Sequence, residues 1–159
     1  MSGAAYHRGE SKQDYATPPE FIAAVKRRFS IREFAWDLAA SAENTKAADF
    51  FGEAADSLTQ DWSLCWGDLW LNPPFSNIAP WARKCAESGY SIDRRIFFLV
   101  PAAVGSNWHA QHVDGHARTF LLNGRISFDG KGPYPKDCIL SVYGIQPGYE
   151  VWRWKDDVR

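Results

Sequence analysis

The sequence predicts an open α/β sheet, mostly parallel, with helices on both faces and an antiparallel edge. Three observations predict it. Short apolar runs alternate with helical periodicity through the first two thirds of the chain, as βα units require. The last third carries several apolar runs with no long helix between them. Two of the early runs end directly in polar or proline-rich segments, where buried parallel strands open onto ligands. A chain of 159 residues with 45% hydrophobic content suits one core rather than two. A single domain is therefore expected over 14–159, after a polar, glycine-containing lead-in over 1–13 read as flexible.

The elements follow in order. Thr17-Pro18-Pro19-Glu20 precedes apolar residues at 21, 22, 25 and 29, which predicts a helix over 18–29 with threonine as its cap. Phe34-Ala35-Trp36-Asp37-Leu38 reads as a buried strand ending in an acid. Residues 43–51 are a weaker helix candidate. Asp68-Leu69-Trp70-Leu71 is a strand that runs into Asn72-Pro73-Pro74, where two prolines end ladder pairing. Helical spacing over 77–88 ends at Gly89, a C-terminal cap. Residues 95–101 form the clearest strand, followed by a short helix over 107–113 and strands over 119–122, 126–128, 138–143 and 150–154.

Composition narrows the function classes. A formal net charge of −1 gives no global footprint for a polyanion, so any nucleic acid must meet a local patch. Three cysteines at 65, 85 and 138, with no CxxC pair, indicate neither a disulfide framework nor a zinc cage and point to a reducing cytoplasm. No apolar stretch reaches membrane-span length, and no membrane partner is expected. His109, His112 and His116 have a superficially metal-like spacing, but Asp114-Gly115 interrupts the helix that would align them. No metal is expected.

The segment Asn72-Pro73-Pro74-Phe75 carries a specific mechanical logic. The side-chain carbonyl of Asn72 and the backbone carbonyl of Pro73 can both accept hydrogen bonds from one amine, while Pro74 holds them in a fixed frame. The ring of Phe75 can stack on the planar group bearing that amine. A conjugated exocyclic amine is a poor nucleophile. Two acceptors drawing its hydrogens out of plane restore density on nitrogen and aim it, without a strong base. Asparagine and proline are also ordinary turn residues, so the tetrapeptide alone leaves open a plain strand-to-helix loop. Asp37 and Thr17 likewise read as helix caps, and Asp56 as a turn acid.

The surrounding blocks weigh toward the functional reading. Tyr15-Ala16-Thr17-Pro18, Trp36-Asp37-Leu38-Ala39-Ala40-Ser41 with Asn44-Thr45-Lys46, and Asp56-Ser57-Leu58 with Trp62 precede the motif. Trp70-Leu71-Asn72-Pro73-Pro74-Phe75 with Trp81, Val100-Pro101 with Ser106-Asn107-Trp108, and Gly124-Arg125-Ile126-Ser127-Phe128 complete the series. In this order they resemble the phage- and prophage-encoded DNA adenine methyltransferases, often called Dam-like, over Tyr15 to about Tyr143.

The resemblance implies a Rossmann-like class I methyltransferase fold, S-adenosylmethionine as methyl donor leaving as S-adenosylhomocysteine, and a flipped-out adenine of DNA as acceptor. It implies that Asp37 and the Ala39-Ala40-Ser41 turn border the methionine part of the cofactor. Tyr15, Thr17 and Pro18 would line the same pocket, Asp56 would approach the adenosine, and Asn72 to Phe75 would hold the target base. The loop Ser106-Asn107-Trp108-His109 and Arg125 are the candidates for touching DNA, Arg125 equally readable as a solvated edge-strand charge. The chain departs from the pattern twice. The glycine-rich cofactor loop is replaced by Asp37-Leu38-Ala39-Ala40-Ser41, and phenylalanine stands where the family more often has tyrosine, which keeps stacking but loses a hydroxyl. Little sequence is left for a separate target-recognition domain, and either a monomer or a weak homodimer is compatible with it. The same two-acceptor geometry would also serve cytosine, RNA adenine or a protein glutamine, and an inactive nucleic-acid-binding module is the non-enzymatic alternative.

Overall fold

The computed structural model describes residues 16–89, 91, 93–128 and 133–158; the lead-in 1–13 and Tyr15 lie outside them. The described residues build one seven-stranded sheet. Its strands are β1 (Phe34–Asp37), β2 (Ala47–Phe50), β3 (Gly67–Leu71), β4 (Arg94–Pro101), β5 (Ala117–Leu122), β6 (Cys138–Tyr143) and β7 (Gly148–Trp152). Among the described residues the α-helices are α1 (Pro19–Phe29), α2 (Ala79–Ser88) and the short α3 (Asn107–His112). The spatial order is β2-β1-β3-β4-β6-β5-β7. Only β6 runs against its neighbours, β4 and β5; every other pairing is parallel.

The predicted mixed, mostly parallel α/β sheet is therefore present, with its antiparallel part in the interior rather than at the edge. The crossover from β4 through α3 to β5 skips one strand position, and β6 returns into that gap from the opposite direction. Its composition requires this place: all six residues of β6 are buried, which an edge position would not allow.

Strand alternation sends side chains to two cores. Along β4, Phe97 and Leu99 join one face while Ile96, Phe98 and Val100 join the other. Helix α1 covers the first face with Phe21, Ile22, Ala24 and Val25, and Phe21 meets the ring of Trp154 at 5.1 Å in an edge-on contact. Helix α2 covers the second with Ala82, Cys85 and Ala86.

Several elements depart from the sequence reading. Helix α1 is capped by Pro18, whose carbonyl accepts from the N–H groups of Phe21 and Ile22; no side chain caps it, because the Thr17 hydroxyl is engaged elsewhere. Residues 47–50 form β2 instead of a helix, drawn into register with β1 through Phe34↔Ala47 and Trp36↔Asp49. Residues 126–128 form no strand; the Ile126 carbonyl accepts from the Tyr134 N–H at 2.8 Å, while Ile126 and Phe128 are buried in the first core. Gly89 caps α2 at φ −76° rather than in the left-handed region, and its missing side chain makes room for Tyr143, whose Cβ would lie 3.0 Å from an added Cβ. The last strand ends at Trp152, and Trp154 begins a 3₁₀ turn that seats its ring on α1.

The turn after β6 rests on Gly144. Its φ is +101°, and a Cβ there would press into the Arg94 carbonyl at the start of β4. Gly144→Ala is expected to lower the unfolding free energy by about 2–4 kcal/mol through backbone strain and steric conflict. Gly105→Ala, where a Cβ meets nothing within 4 Å, is expected to stay within ~0.5 kcal/mol of the parent. Urea unfolding of the two variants side by side checks this.

Candidate active site

From β1 the chain turns outward to β2, whereas β3 and β4 lie on the other side of β1. The reversal of direction makes the carboxyl ends of β1 and β3 the mouth of a crevice, the place where open α/β sheets hold ligands. Asp37 is the last residue of β1, and Asn72 follows the last residue of β3. Their register is locked by the pair Asp37↔Trp70 and by the Leu38 N–H donating to the Trp70 carbonyl at 2.8 Å. The cleft between them encloses about 790 Å³ of unfilled space, open solvent at its mouth included.

Asp37 organises the wall on the β1 side. It is 2% exposed, and its carboxylate accepts from the Ala39 N–H at 3.2 Å and the Lys46 N–H at 2.9 Å. Its backbone carbonyl accepts from the Phe51 N–H, and the Ala40 N–H donates to the Phe51 carbonyl, so the start of the turn over 38–46 is tied to the exit of β2, while its far end is held by the Lys46 N–H on the Asp37 carboxylate. Burial pushes the Asp37 carboxyl up to about 7, against the opposing pull of the Lys46 and Ala39 N–H groups and the Lys46 charge. The Ser41 N–H donates to the Asn44 carboxamide oxygen at 2.8 Å, closing the middle of the turn.

On the β3 side, the Asn72 carboxamide N–H donates to the Thr17 hydroxyl at 3.0 Å, and Thr17 is 2% exposed. The segment then divides two spaces. Pro74 faces the cleft, while the ring of Phe75 borders a second cavity. There it meets Tyr134 at 5.6 Å and 66° and Phe128 at 6.0 Å and 77°, edge-to-face arrangements that fix its plane.

The sequence-derived candidates separate into those the cleft brings together and those it does not. Thr17, Asp37, Ala39, Ala40, Asp56, Asn72 and Pro74 border it. Pro18, Ser41 and Pro73 are not among the residues that border it; Pro18 and Pro73 are buried and Ser41 is half-buried. Ser106 caps α3 by accepting from the His109 N–H, Asn107 is exposed, and Trp108 borders the second cavity. His109 is turned inward at 4% exposure, its ring stacked on Tyr149 and its Nε2 3.1 Å from the Tyr149 hydroxyl, which itself donates to Asp114. Burial holds the His109 imidazole below its ordinary value. Arg125 is exposed and pairs with Asp137 at 3.2 Å.

The cleft also takes in Lys46, Phe51, Glu53 and Trp81, none of them among the sequence-derived site residues. Phe51 and Glu53 follow the end of β2, so recognising that strand would have placed them at a third carboxyl end of the sheet. Among the described residues no cluster of three or more metal-ligating side chains occurs, and no helix is long and apolar enough to cross a membrane.

Comparison with known proteins bears on this geometry. The chain is 26% identical over 118 residues to the DNA N-6-adenine-methyltransferase of Haemophilus phage HP1, a match covering 74% of this chain and 66% of that protein. It is 27% identical over 157 residues to the DNA N-6-adenine-methyltransferase of Escherichia phage T1, covering 95% of this chain and 64% of that protein. The chain thus spans just under two thirds of the length of either relative. A family model described as DNA N-6-adenine-methyltransferase (Dam) matches residues 6–139, a span that holds both strand ends of the cleft and the segment between the two cavities. Sheet order, cleft and matched span agree, and the chain belongs to the DNA N-6-adenine-methyltransferase (Dam) family.

Proposed function

We propose that this chain transfers a methyl group from S-adenosylmethionine to the exocyclic N6 amine of an adenine in DNA. The observation that carries the reading is the meeting of Asp37 and Asn72 at adjacent strand ends, in one cleft at the sheet's switch point. The donor set suits the cofactor. Three carboxylates, Asp37, Glu53 and Asp56, line the cleft with Lys46 and the rings of Phe51 and Trp81. These match a ligand that carries positive charge, a carboxylate, ribose hydroxyls and a purine. Asp37 and the Ala39-Ala40-Ser41 turn would border its methionine part and Asp56 its adenosine, with Thr17 and Pro18 completing the described part of the pocket.

When bound, the cofactor supplies an electrophilic methyl carbon on a positively charged sulfur, so the transfer as proposed calls on no metal. The rest falls to the chain. The carboxamide oxygen of Asn72 and the carbonyl of Pro73 accept the two hydrogens of the amine, which restores its lone pair and directs it. Proline at 74 keeps both acceptors in one frame. Phe75 stacks on the extruded base and offsets part of the few kcal/mol that unstacking costs. Ser106, Asn107, Trp108 and Arg125 are assigned to the DNA side; His109, buried against Tyr149, supports that loop from behind. DNA is thereby the partner and the cytoplasm the setting.

Incubation with methyl-labelled cofactor and unmethylated DNA, followed by nucleoside analysis, is expected to show label in N6-methyladenine; label confined to methylcytosine or to protein would overturn the assignment. Asn72→Ala is expected to reduce kcat by about 10²-fold or more while the calorimetric affinity for S-adenosylmethionine stays near the parent value. Thr17→Val removes the partner of the Asn72 N–H and is expected to lower kcat about fivefold to tenfold, the worth of one hydrogen bond.

Asp37 sets a pH dependence. The folded chain holds this proton up to about pH 7, well above the ordinary value of 3.8. The ligand-free fold therefore gains most from this group below about pH 4 and loses up to about 1.4 kcal/mol per pH unit as the pH rises toward 7. Asp37→Asn is expected to flatten that fall in urea titrations at successive pH values. Affinity for the cationic cofactor is expected to rise between pH 6 and 7.5 in the parent and not in Asp37→Asn; parallel profiles would remove Asp37 from cofactor binding.

A further inference from the structure

The second cavity is not accounted for by the cofactor cleft. Pro74 borders one and Phe75 the other, so consecutive residues of the motif line the two spaces. Its walls are Phe75, Ile78, Pro101, Trp108 and Tyr134, with Lys136 as the only charged residue among the described ones that line it. Tyr134 is carried in by its N–H bond to the Ile126 carbonyl at 2.8 Å and holds its ring 5.6 Å from Phe75. Trp108 comes from the first turn of α3, secured by the Ser106 cap. Lys136 is exposed, and the neighbouring Asp137 is engaged by Arg125 at 3.2 Å.

Flat aromatic walls accept any nucleobase by its π face, and an ammonium at the mouth accepts a phosphate. A chain with net charge −1 has no other means of binding a polyanion than such local placement. Continuity with the motif then selects the ligand, because whatever occupies this cavity lies beside the group held by Asn72 and Phe75. We infer that the second cavity holds the acceptor DNA strand, a base lying against Trp108 and Tyr134 and a backbone phosphate at Lys136. The inference rests on the DNA reading proposed above and adds Tyr134 and Lys136 to its residues.

Binding of a short fluorescein-labelled oligo-dA, followed by anisotropy over a range of salt, tests it without requiring a recognition sequence. Lys136→Ala is expected to weaken binding about fivefold at 0.1 M salt and to make the plot of log affinity against log salt shallower by about 0.7, one phosphate contact on a single strand. Lys136→Arg should restore both. Trp108→Ala and Tyr134→Ala are expected to weaken binding at least about fivefold and to leave binding of an abasic oligomer of the same length unchanged. Calorimetric affinity for S-adenosylmethionine should be the parent's in every variant, which reports an intact fold; should Trp108→Ala lose it, the exposed Lys136 pair still decides. Parent-like oligomer binding by the Lys136 and Trp108 variants, in a chain that does methylate adenine, overturns the inference alone. A parent that binds cofactor but neither binds the oligomer nor methylates adenine overturns the DNA reading with it.

Discussion

The cleft depends on one buried carboxylate. A glycine-rich turn lets a backbone approach its cofactor because nothing projects from it; this chain has Ala39, Ala40 and Ser41 there instead. The turn is closed from within, by Asp37 side-chain oxygens that accept from the Ala39 and Lys46 N–H groups, while the Phe51 N–H donates to the Asp37 carbonyl and the Phe51 carbonyl accepts from the Ala40 N–H. Burying a carboxylate is costly, and its two N–H partners only partly offset that cost, as the carboxyl pushed up to about 7 records. Under the proposed function, a cation entering the cleft would supply the missing compensation, and the group that shapes the wall would also be the one that meets the ligand's positive charge.

The sheet supports this arrangement by placing aromatic bulk where the strand ends must stay still. Trp70 packs beside Phe34 at 5.4 Å and Phe21 at 6.4 Å, directly beneath the residues that lead into Asn72. Arg94, 5% exposed at the opposite end of β4, donates to the carbonyls of Ser63, Cys65 and Ser88. It satisfies backbone acceptors on the 3₁₀ segment before β3 and at the end of α2 together. Position at the carboxyl ends is therefore inherited from packing at the amino ends.

Much of this was legible from periodicity and strand ends. Helix α1, strands β1, β3, β4 and β6, and the emergence of Asp37 and Asn72 at strand ends follow from apolar pattern and proline placement alone; that the two strands are neighbours does not. Three features were not. Ala47-Ala48-Asp49-Phe50 has the composition of a helix and becomes β2 because pairing with β1 outweighs weak local propensity. The 3₁₀ turns over 53–64, which bring Glu53 and Asp56 to the cleft, have no sequence period to read. The inward turn of His109 depends on Tyr149, forty residues away, which no local pattern reveals.

Thr17 exposes the deepest of these gaps. Read along the chain it is a helix cap, with Glu20 three residues later completing the usual box. In the fold, Pro18 begins the helix without it, and the freed hydroxyl reaches fifty-five residues along the sequence to the Asn72 amide. A carboxamide has two ends, and engaging its N–H with Thr17 determines which way the oxygen turns. Under the proposed chemistry that oxygen is the acceptor for the amine, so a residue of the cofactor wall sets the orientation of the base-holding group. The donor pocket and the acceptor segment are then not two sites that happen to adjoin. They share a hydrogen bond, and whatever disturbs Thr17 on the cofactor side is transmitted to the oxygen of Asn72 on the other.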